Sequence, residues 1–193
     1  MVNKQEDTAT QIMEVAQKLM QERGYNAFSY ADISEQVGIR KASIHYYFPG
    51  KSDLARETLV RYRARIRGLL EQVNQQITDP KAKLERLVQG YSSVLHEQNL
   101  ICLCGMLGAE MPTLPDEVRS EVLGFFSEVE DWLSGVFEQG VKQGVLQVAQ
   151  PSEVEARLFL AAIQGAMLVA RAFNEPARFD VACARLIAHL QSS

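Results

Sequence analysis

Basic, hydroxyl-bearing and aromatic side chains are concentrated between residues 40 and 51, close to the N-terminus. The residues of this group are Arg40, Lys41, Ser43, His45, Tyr46, Tyr47 and Lys51. Basic groups bind phosphate oxygens, while arginine, serine and histidine side chains can hydrogen-bond to base edges in the major groove of a DNA duplex. The chemistry that this group offers is recognition of a nucleic acid, and it requires no cofactor.

The residues around this group predict two short helices separated by a sharp turn. Ser29 and Asp32 have the spacing of a capping box, which satisfies the first amides of a helix. Gly38 ends that helix, because glycine readily adopts the left-handed conformation of a helix C-cap. The second helix is predicted over residues 40–47, with Ile44 turned inward and the polar side chains turned outward. A short exposed helix of this composition can enter a DNA major groove.

Residues 38–54, GIRKASIHYYFPGKSDL, resemble the N-terminal DNA-binding signature of the TetR family of transcriptional regulators. The family pattern runs glycine, apolar, serine, lysine, two small residues, apolar, tyrosine, two polar or aromatic residues, phenylalanine, then a turn and lysine. The sequence departs from it at Arg40, where serine is usual, and at His45, where tyrosine is usual. The resemblance implies a helix-turn-helix that binds double-stranded DNA.

By this resemblance, the polar residues divide into two groups. Positions that mainly contact phosphates are matched by Lys41, Tyr47 and Lys51. Positions where bases are read are matched by Arg40, Ser43, His45 and Tyr46. Ser29 completes the predicted set of DNA contacts. A bidentate contact from Arg40 to a guanine would favour that base by about 1–3 kcal/mol. For His45 and Tyr46, packing within the small domain is the alternative.

The charge of the chain is unevenly distributed. The net charge is −4 at pH 7, yet residues 38–68 hold eight basic and two acidic residues, and local positive charge is what attracts phosphates. A hydrophobic content of 47% and a charged content of 23% are typical of a globular protein. The N-terminus lacks the apolar region of a signal peptide, and the longest apolar run, residues 100–109, is too short to cross a membrane. These features predict a cytoplasmic protein without a membrane segment.

Apolar residues at helical spacing recur along the chain, which predicts an all-α fold. A capping box at Thr8 indicates where the first helix begins. The predicted order is an N-terminal three-helix helix-turn-helix domain over residues 1–50, followed by a long connecting helix over residues 51–76. A helix break at residues 78–80, Thr-Asp-Pro, marks the start of the next domain. This domain is predicted over residues 77–193, and the resemblance identifies it as an α-helical ligand-binding and dimerisation domain.

Two apolar helices near the C-terminus are predicted to pair with the same helices of a second copy. Residues 158–173 are apolar on nearly all sides, so one small domain cannot bury them completely. In the TetR resemblance, the last two helices form a four-helix homodimer interface. Its predicted residues are Leu158, Ala162, Gly165, Ala166, Val169, Phe173, Leu186 and Leu190. A symmetric dimer places two reading helices about 34–36 Å apart, or one DNA turn, which implies a palindromic operator.

The resemblance also implies an effector pocket in the C-terminal half. Its predicted lining is Cys102, Met106, Glu110, Met111, Trp132, Phe159, Gln164 and Met167. Apolar residues at helical spacing usually form ordinary core, and Glu110 could instead cap the end of a helix. The sequence does not identify the effector, so an apolar or aromatic small molecule is the default expectation.

Cys102 begins the string Cys-Leu-x-x-x-Leu-x-Ala-Glu, which resembles a subgroup of these regulators. Some of that subgroup sense electrophiles or oxidants through a cysteine at this position, so a thiol-switched repressor is the alternative. Against it, residues 100–111 contain no lysine or arginine to lower the pKa of the thiol. Three cysteines are an odd number, which argues against a disulfide framework. A zinc site built on Cys102, Cys104 and His96 would lack a fourth ligand, so no metal site is predicted.

Two other classes of protein stay open as alternatives. A thiol enzyme would need a base beside its cysteine, but His45, His96 and His189 are scattered along the chain. A pure ligand-binding or dimerisation module would leave the basic group between residues 40 and 51 without a purpose. The sequence therefore predicts a regulator and not an enzyme, namely a repressor that a small-molecule effector releases from its operator.

Overall fold

A computed structural model of the chain describes residues 4–190. Over that range the protein is all-α, as predicted, with nine α-helices and one short 3-10 helix. The α-helices are α1 Lys4–Arg23, α2 Tyr30–Val37, α3 Lys41–Tyr47, α4 Lys51–Gln76, α5 Pro80–Gln98, α6 Leu103–Gly108, α7 Asp116–Gln143, α8 Ser152–Phe173 and α9 Ala177–Ala188. The 3-10 helix, Met111–Thr113, lies between α6 and α7.

The chain folds into two compact units, and each is built from two separate segments. Unit 1 contains the residues up to Arg65 together with Leu103–Gly124. Unit 2 contains Ile66–Cys102 together with the chain from Phe125 onward. The helix-turn-helix therefore shares a compact unit with α6 and the start of α7. The functional boundaries at residues 50 and 76 stay a prediction, because compactness does not say which part performs which task.

The start of α1 differs from its prediction. The helix begins at Lys4 and not at the capping box of Thr8. Lys4, Gln5 and Glu6 are all strong helix formers, so nothing in their backbone preferences stops the helix before Thr8. A capping sequence marks a possible helix start, and it does not prevent the chain from continuing the helix through it.

The capping box of α2 is confirmed. The hydroxyl of Ser29 accepts a hydrogen bond from the amide of Ala31 at 3.2 Å, and the amide of Ser29 donates to Asp32 Oδ2 at 2.8 Å. The hydroxyl of Ser29 also donates to Asp32 Oδ2 at 2.7 Å, and this hydrogen bond, followed by that from the Ser29 amide, lowers the pKa of Asp32. Gly38 ends the helix at a φ of 75°, the left-handed conformation that glycine adopts without strain. Local sequence thus fixes both ends of α2.

The core of unit 1 is formed where α1, α2, α3 and the start of α4 meet. Its central residues, Ile12, Leu19, Ile33, Ile44 and Leu54, are fully buried. The short helix α6 packs against α1. Because a helix as short as α3 is not stable alone in water, this shared core is what holds it in place.

The core of unit 2 is rich in phenylalanine. Phe125, Phe137, Phe159 and Phe179 are almost completely buried. The rings of Phe137 and Phe159 meet edge to face, with centroids 5.7 Å apart, a favoured geometry for aromatic pairs. Helix α8 packs against α9, and α5 contacts both.

Helix α8 is long and apolar enough, by length and composition alone, to cross a membrane. No other helix in the described chain passes this test, and the core helices of soluble proteins also pass it. Only a third of the tested part of α8 is buried within the chain. The helix therefore keeps much apolar surface that unit 2 does not cover.

Two glycines of α7 offer a matched test of packing. A Cβ at Gly140 would lie 2.9 Å from Cβ and 2.5 Å from Cγ of Leu146, whereas a Cβ at Gly135 would meet nothing within 4 Å. Gly140→Ala should therefore lower the free energy of unfolding by about 1–3 kcal/mol through overpacking. Gly135→Ala should raise it by about 0.5–1 kcal/mol, because alanine favours a helix. Urea unfolding measures both, and equal stability of the two variants would contradict the packing of Leu146 on α7.

Candidate nucleic-acid interface

Helix α3 has one buried face and one exposed face. Ile44 is fully buried and Phe48 nearly so, which fixes the rotation of the helix on the core. The exposed residues are Arg40, Lys41, Ser43, His45 and Tyr46. Helix α3 begins at Lys41, one residue after its predicted start, and Arg40 is its N-cap. The predicted DNA-contacting side chains of α3 thus share a solvent-exposed surface, apart from Tyr47, which is half-buried.

His45 both packs on a neighbour and keeps one ring nitrogen available. Its ring lies 4.7 Å from that of Tyr30, centroid to centroid, and its Nδ1 lies 3.2 Å from the carbonyl oxygen of Pro49. A carbonyl can only accept a hydrogen bond, so this hydrogen bond places a proton on Nδ1. In the tautomer whose only ring proton is on Nδ1, Nε2 carries a lone pair and can accept a hydrogen bond.

Tyr46 does not pack in the core. It is 73% exposed, and its ring meets that of Tyr47 edge to face with centroids 5.3 Å apart. The packing alternative considered for Tyr46 is therefore not what the structure shows. The two rings form an aromatic pair on the surface of α3.

Tyr30 connects α2 to the end of α3. Its hydroxyl donates to the carbonyl oxygen of Phe48 at 2.9 Å. Burial raises the pKa of Tyr30 to about 12, and Asp53 and Tyr25 add smaller effects in the same direction. The phenol therefore stays protonated and acts as a donor at neutral pH, which satisfies a carbonyl that the helix end leaves unpaired.

Lys51, the first residue of α4, is held inside unit 1. Its ammonium group donates to the carbonyl oxygen of Phe28 at 2.5 Å and lies 4.4 Å from the ring centroid of Phe28 and 4.8 Å from that of Tyr25. Burial lowers the pKa of Lys51, while the carboxylates of Glu110 and Asp32 act in the opposite direction. The lysine thus has a structural position between two aromatic rings, in addition to its predicted contact with a phosphate.

Glu110 lies against the turn between α1 and α2, whereas the sequence predicted a pocket position or a helix end for it. Its Oε2 accepts from the amide of Tyr25 at 2.5 Å, and its Oε1 accepts from the amide and side chain of Asn26 at 3.4 and 3.2 Å. The side chain of Asn26 also donates to Thr113 at 2.8 Å. The only sequence signal for such a role was a single carboxylate at the end of an apolar run.

The arginines of α4 are engaged within the protein. In unit 1, Arg61 pairs with Glu14 at 2.8 Å, Arg63 pairs with Glu121, and Arg65 lies over the ring of Tyr62. These partners account for the basic side of α4 without DNA. The positive charge that faces solvent beside α3 comes instead from Arg40 and Lys41.

The residues predicted to line the effector pocket are divided between the two units. Met106, Glu110 and Met111 belong to unit 1, and the other five to unit 2. Phe159 and Met167 are core residues of unit 2. Side-chain nitrogens of Trp132 and Gln164 are buried without a hydrogen-bond partner among the described residues.

Unit 2 contains a small cavity of about 90 Å³ beside Trp132. Its walls are formed by Ile66, Arg67, Leu70, Glu71, Phe125, Glu128, Val129 and Trp132. Arg67 and Glu128 form an ion pair at 2.8 Å. The cavity is apolar with one charged pair, and it is smaller than the ~300–1,000 Å³ typical of ligand sites.

The residues predicted for the dimer interface are mostly exposed in the single chain. Leu158, Val169 and Phe173 are between 49% and 58% exposed. Ala162 and Gly165 are exposed, and Ala166 and Leu186 are half-buried. Leu190 is only 8% exposed and belongs to the core of unit 2. Leu168 and Val181, which were not predicted, add further exposed apolar surface.

The three cysteines are buried thiols. Cys102 is 2% exposed, and Cys104 is fully buried. Burial raises the pKa of Cys183 to about 12, with a smaller effect of Asp180 in the same direction. Within residues 4–190, no three histidine, cysteine or acidic side chains are grouped so that they could hold a metal ion.

Comparisons with known proteins assign both the N-terminal and the C-terminal part of the chain to one family. The family model for bacterial regulatory proteins of the tetR family matches residues 12–58, and that for the tetracyclin repressor-like C-terminal domain matches residues 80–186. The crystal structure of a TetR-family transcriptional regulator from Agrobacterium tumefaciens is 35% identical, with a TM-score of 0.95 over 97% of this chain and 100% of that one.

Two named relatives are more distant. The transcriptional regulator AcuR of Cereibacter sphaeroides is 26% identical over 78% of this chain and 70% of its own length. The HTH-type transcriptional repressor DhaR of a Mycobacterium species is 23% identical over 81% of this chain and 79% of its own length. The helix-turn-helix, the two family models and these relatives together establish that the chain belongs to the TetR family of DNA-binding transcriptional regulators.

Proposed function

We propose that this protein is a homodimeric, cytoplasmic repressor that binds a palindromic operator and is released from it by a small-molecule effector. The single observation that carries the proposal is an exposed basic and aromatic surface on α3, above a fully buried Ile44. Such a surface is suited to a DNA major groove. Repression, and not activation, is proposed because a named relative, DhaR, is a repressor.

The uncovered apolar face of α8 and α9 supports a homodimer. Leu158, Ala162, Gly165 and Val169 recur at the spacing of one helix face, and all four are exposed. Small residues in this face allow two helices to approach closely. An exposed apolar patch of this kind marks an interaction surface, and pairing with an identical patch closes it symmetrically. Two-fold symmetry of the protein in turn requires a palindromic operator.

On the DNA, we propose different tasks for neighbouring residues. Arg40 is suited to a guanine, because its fork of donors matches the two acceptors of that base. His45 is suited to an amino group of adenine or cytosine, because its Nε2 is an acceptor while Nδ1 is engaged by Pro49. Lys41 and Lys51 are proposed to contact phosphates.

The effector is proposed to bind non-covalently in unit 2. The cavity beside Trp132 is apolar, and the indole N–H of Trp132 is buried without a hydrogen-bond partner among the described residues. Its small volume means that an effector must enlarge it, and such an effector favours the state with the open cavity. Burial of Cys102 and Cys104 disfavours the thiol-switch alternative, since reactive thiols are usually accessible and have a lowered pKa.

Substitutions of Arg40 and Lys41 should have different effects on operator binding. Arg40→Ala should cost about 1–3 kcal/mol on the operator and much less on operators with the contacted guanine replaced. Lys41→Gln should weaken binding to all sequences and reduce the salt slope by about one. Fluorescence anisotropy over a salt series measures both, with Lys142→Gln on α7 as an exposed lysine control. If Arg40→Ala lost the same binding free energy on every DNA sequence, Arg40 would not read a base.

A charge in the apolar face of α8 should separate the dimer. Val169→Glu should give the mass of a single chain in sedimentation and weaken operator binding at least about tenfold, because a desolvated carboxylate opposes association. Val141→Glu is the matched control, since Val141 on α7 is about as exposed as Val169. A dimeric Val169→Glu protein would show that this face does not form the interface.

Occupation of the cavity should be visible through Trp132, the single tryptophan of the chain. In a screen of small apolar and aromatic compounds, those that shift the emission of Trp132 should also weaken operator binding. Val129→Phe, which fills the cavity, should remove the response and keep operator binding. A compound that releases Val129→Phe protein from the operator as well as wild type would place the effector elsewhere.

A further inference from the structure

The turn between α1 and α2 is held by a carboxylate from a distant part of the sequence. The amides of Tyr25 and Asn26 follow the end of α1, where backbone donors lack helical partners, and both point to Glu110. Hydrogen bonds to a charged acceptor are stronger than those between neutral groups. Asn26 adds side-chain hydrogen bonds to Glu110 and Thr113. The 3-10 helix and the residue before it thus clamp this turn within unit 1.

The backbone of Gly24 lies so close to the carboxylate of Glu110 that a Cβ at residue 24 would clash with it. Gly24 has a φ of 83°, and a Cβ at this position would lie 2.6 Å from each oxygen of Glu110. Only glycine allows the backbone both this conformation and this approach. The turn is therefore shaped for the carboxylate, and a side chain at residue 24 would displace it.

The clamped turn also supports the helix-turn-helix. Tyr25 is buried, and its ring lies beside the ammonium group of Lys51 at the start of α4. Lys51 in turn donates to the carbonyl of Phe28, directly before the N-cap of α2. Contacts therefore run from Glu110 through Tyr25 to the first residue of α4, and they hold the entry to α2. Both helices flank α3.

Glu110 is anchored in unit 1 by the helix that precedes it. It follows α6, which packs on α1, and α6 begins at Leu103, where the chain passes from unit 2 into unit 1. Loss of the hydrogen bonds of Glu110 would free the turn while leaving the hydrophobic core of unit 1 intact.

We propose that Glu110 is a positioning residue for DNA binding, whose carboxylate clamps the α1–α2 turn and so fixes the helix-turn-helix and Lys51 in their binding arrangement. The inference rests on the proposed function, because it assigns to Glu110 control of the proposed operator contact. Glu110 touches no DNA in this role. It sets the geometry of groups that do.

The test is a double-mutant cycle on Gly24 and Glu110. Wild type, Glu110→Ala, Gly24→Ala and the double variant are titrated by fluorescence anisotropy against an operator selected from genomic DNA. Glu110→Ala should weaken binding about tenfold, which corresponds to ~1.4 kcal/mol, and should change the salt slope by less than one, because Glu110 itself contacts no phosphate. Gly24→Ala should cost at least about fivefold more in the wild type than in the Glu110→Ala background, where its clash is absent. The strain of the positive φ is common to both backgrounds and cancels.

Amide hydrogen exchange shows whether Glu110→Ala loosens only the α1–α2 turn or destabilises the whole protein. Hydrogen exchange of the Tyr25 and Asn26 amides should accelerate in Glu110→Ala, while amides of the α1 core keep wild-type rates. Glu110→Gln, which keeps one acceptor oxygen, should recover part of the affinity. Gly140→Ala, which lowers stability away from this turn, and Glu97→Ala, which removes an exposed glutamate of α5, should both bind the operator as wild type does.

The outcomes distinguish this inference from the proposed function. Wild-type protein that binds no DNA counts against the proposed function itself. If the wild type binds the operator and Glu110→Ala binds it equally well, the positioning role is wrong and the proposed function stands. The same holds if the losses of affinity in Gly24→Ala and Glu110→Ala simply add in the double variant. Should Glu110→Ala fail to fold, Glu110→Gln takes its place in the cycle, and unchanged affinity with unchanged amide exchange overturns the inference equally.

Discussion

Burial of Ile44 is the constraint on which the exposed surface of α3 depends. A helix of this length is unstable alone, so its orientation is set by the one apolar side chain that it inserts into the core. Ile33 and Leu54 belong to the same core and are equally buried. Rotation of α3 by one residue would expose Ile44 and bury a polar side chain, which would cost the burial of an apolar residue and the hydration of a polar one. The core therefore decides which side chains face outward.

Hydrogen bonds at helix ends, together with the small core, hold the helices of the helix-turn-helix in place. The phenol of Tyr30, the ammonium group of Lys51 and the carboxylate of Glu110 each bind backbone groups that lie outside regular helix ladders. Buried or half-buried backbone groups without partners are costly, so these contacts are required wherever short helices meet in tight turns. Two of the three donors and acceptors carry a charge. That makes the helix-turn-helix dependent on a few specific polar side chains as well as on its hydrophobic core.

Features that depend on neighbouring residues were predicted from the sequence, whereas contacts between residues distant in the sequence were not. The capping box at Ser29, the left-handed Gly38 and the bounds of α4 at Lys51 and Gln76 were all predicted correctly, because each rests on neighbouring residues. Helix α1 began earlier than predicted, since a capping box does not exclude a longer helix. The partners of Glu110 lie about 85 positions away along the chain, and no local pattern encodes such a contact. The membership of Leu103–Gly124 in unit 1 was missed for the same reason.

The composition of α8 shows why hydropathy alone does not assign a function. The same helix passes a membrane-span test and supplies the face proposed for dimerisation. Its two sides differ, however: Phe159, Ile163, Met167 and Ala170 are buried within unit 2, whereas Leu158, Val169 and Phe173 are not. A single helix that crosses a membrane alone is surrounded by lipid, and none of its sides is packed into a phenylalanine-rich core. An interface helix needs both sides, because one must hold it in its own chain and the other must meet the second copy. The division of apolar surface between two faces therefore favours assembly over insertion, which the total hydropathy of the helix cannot do.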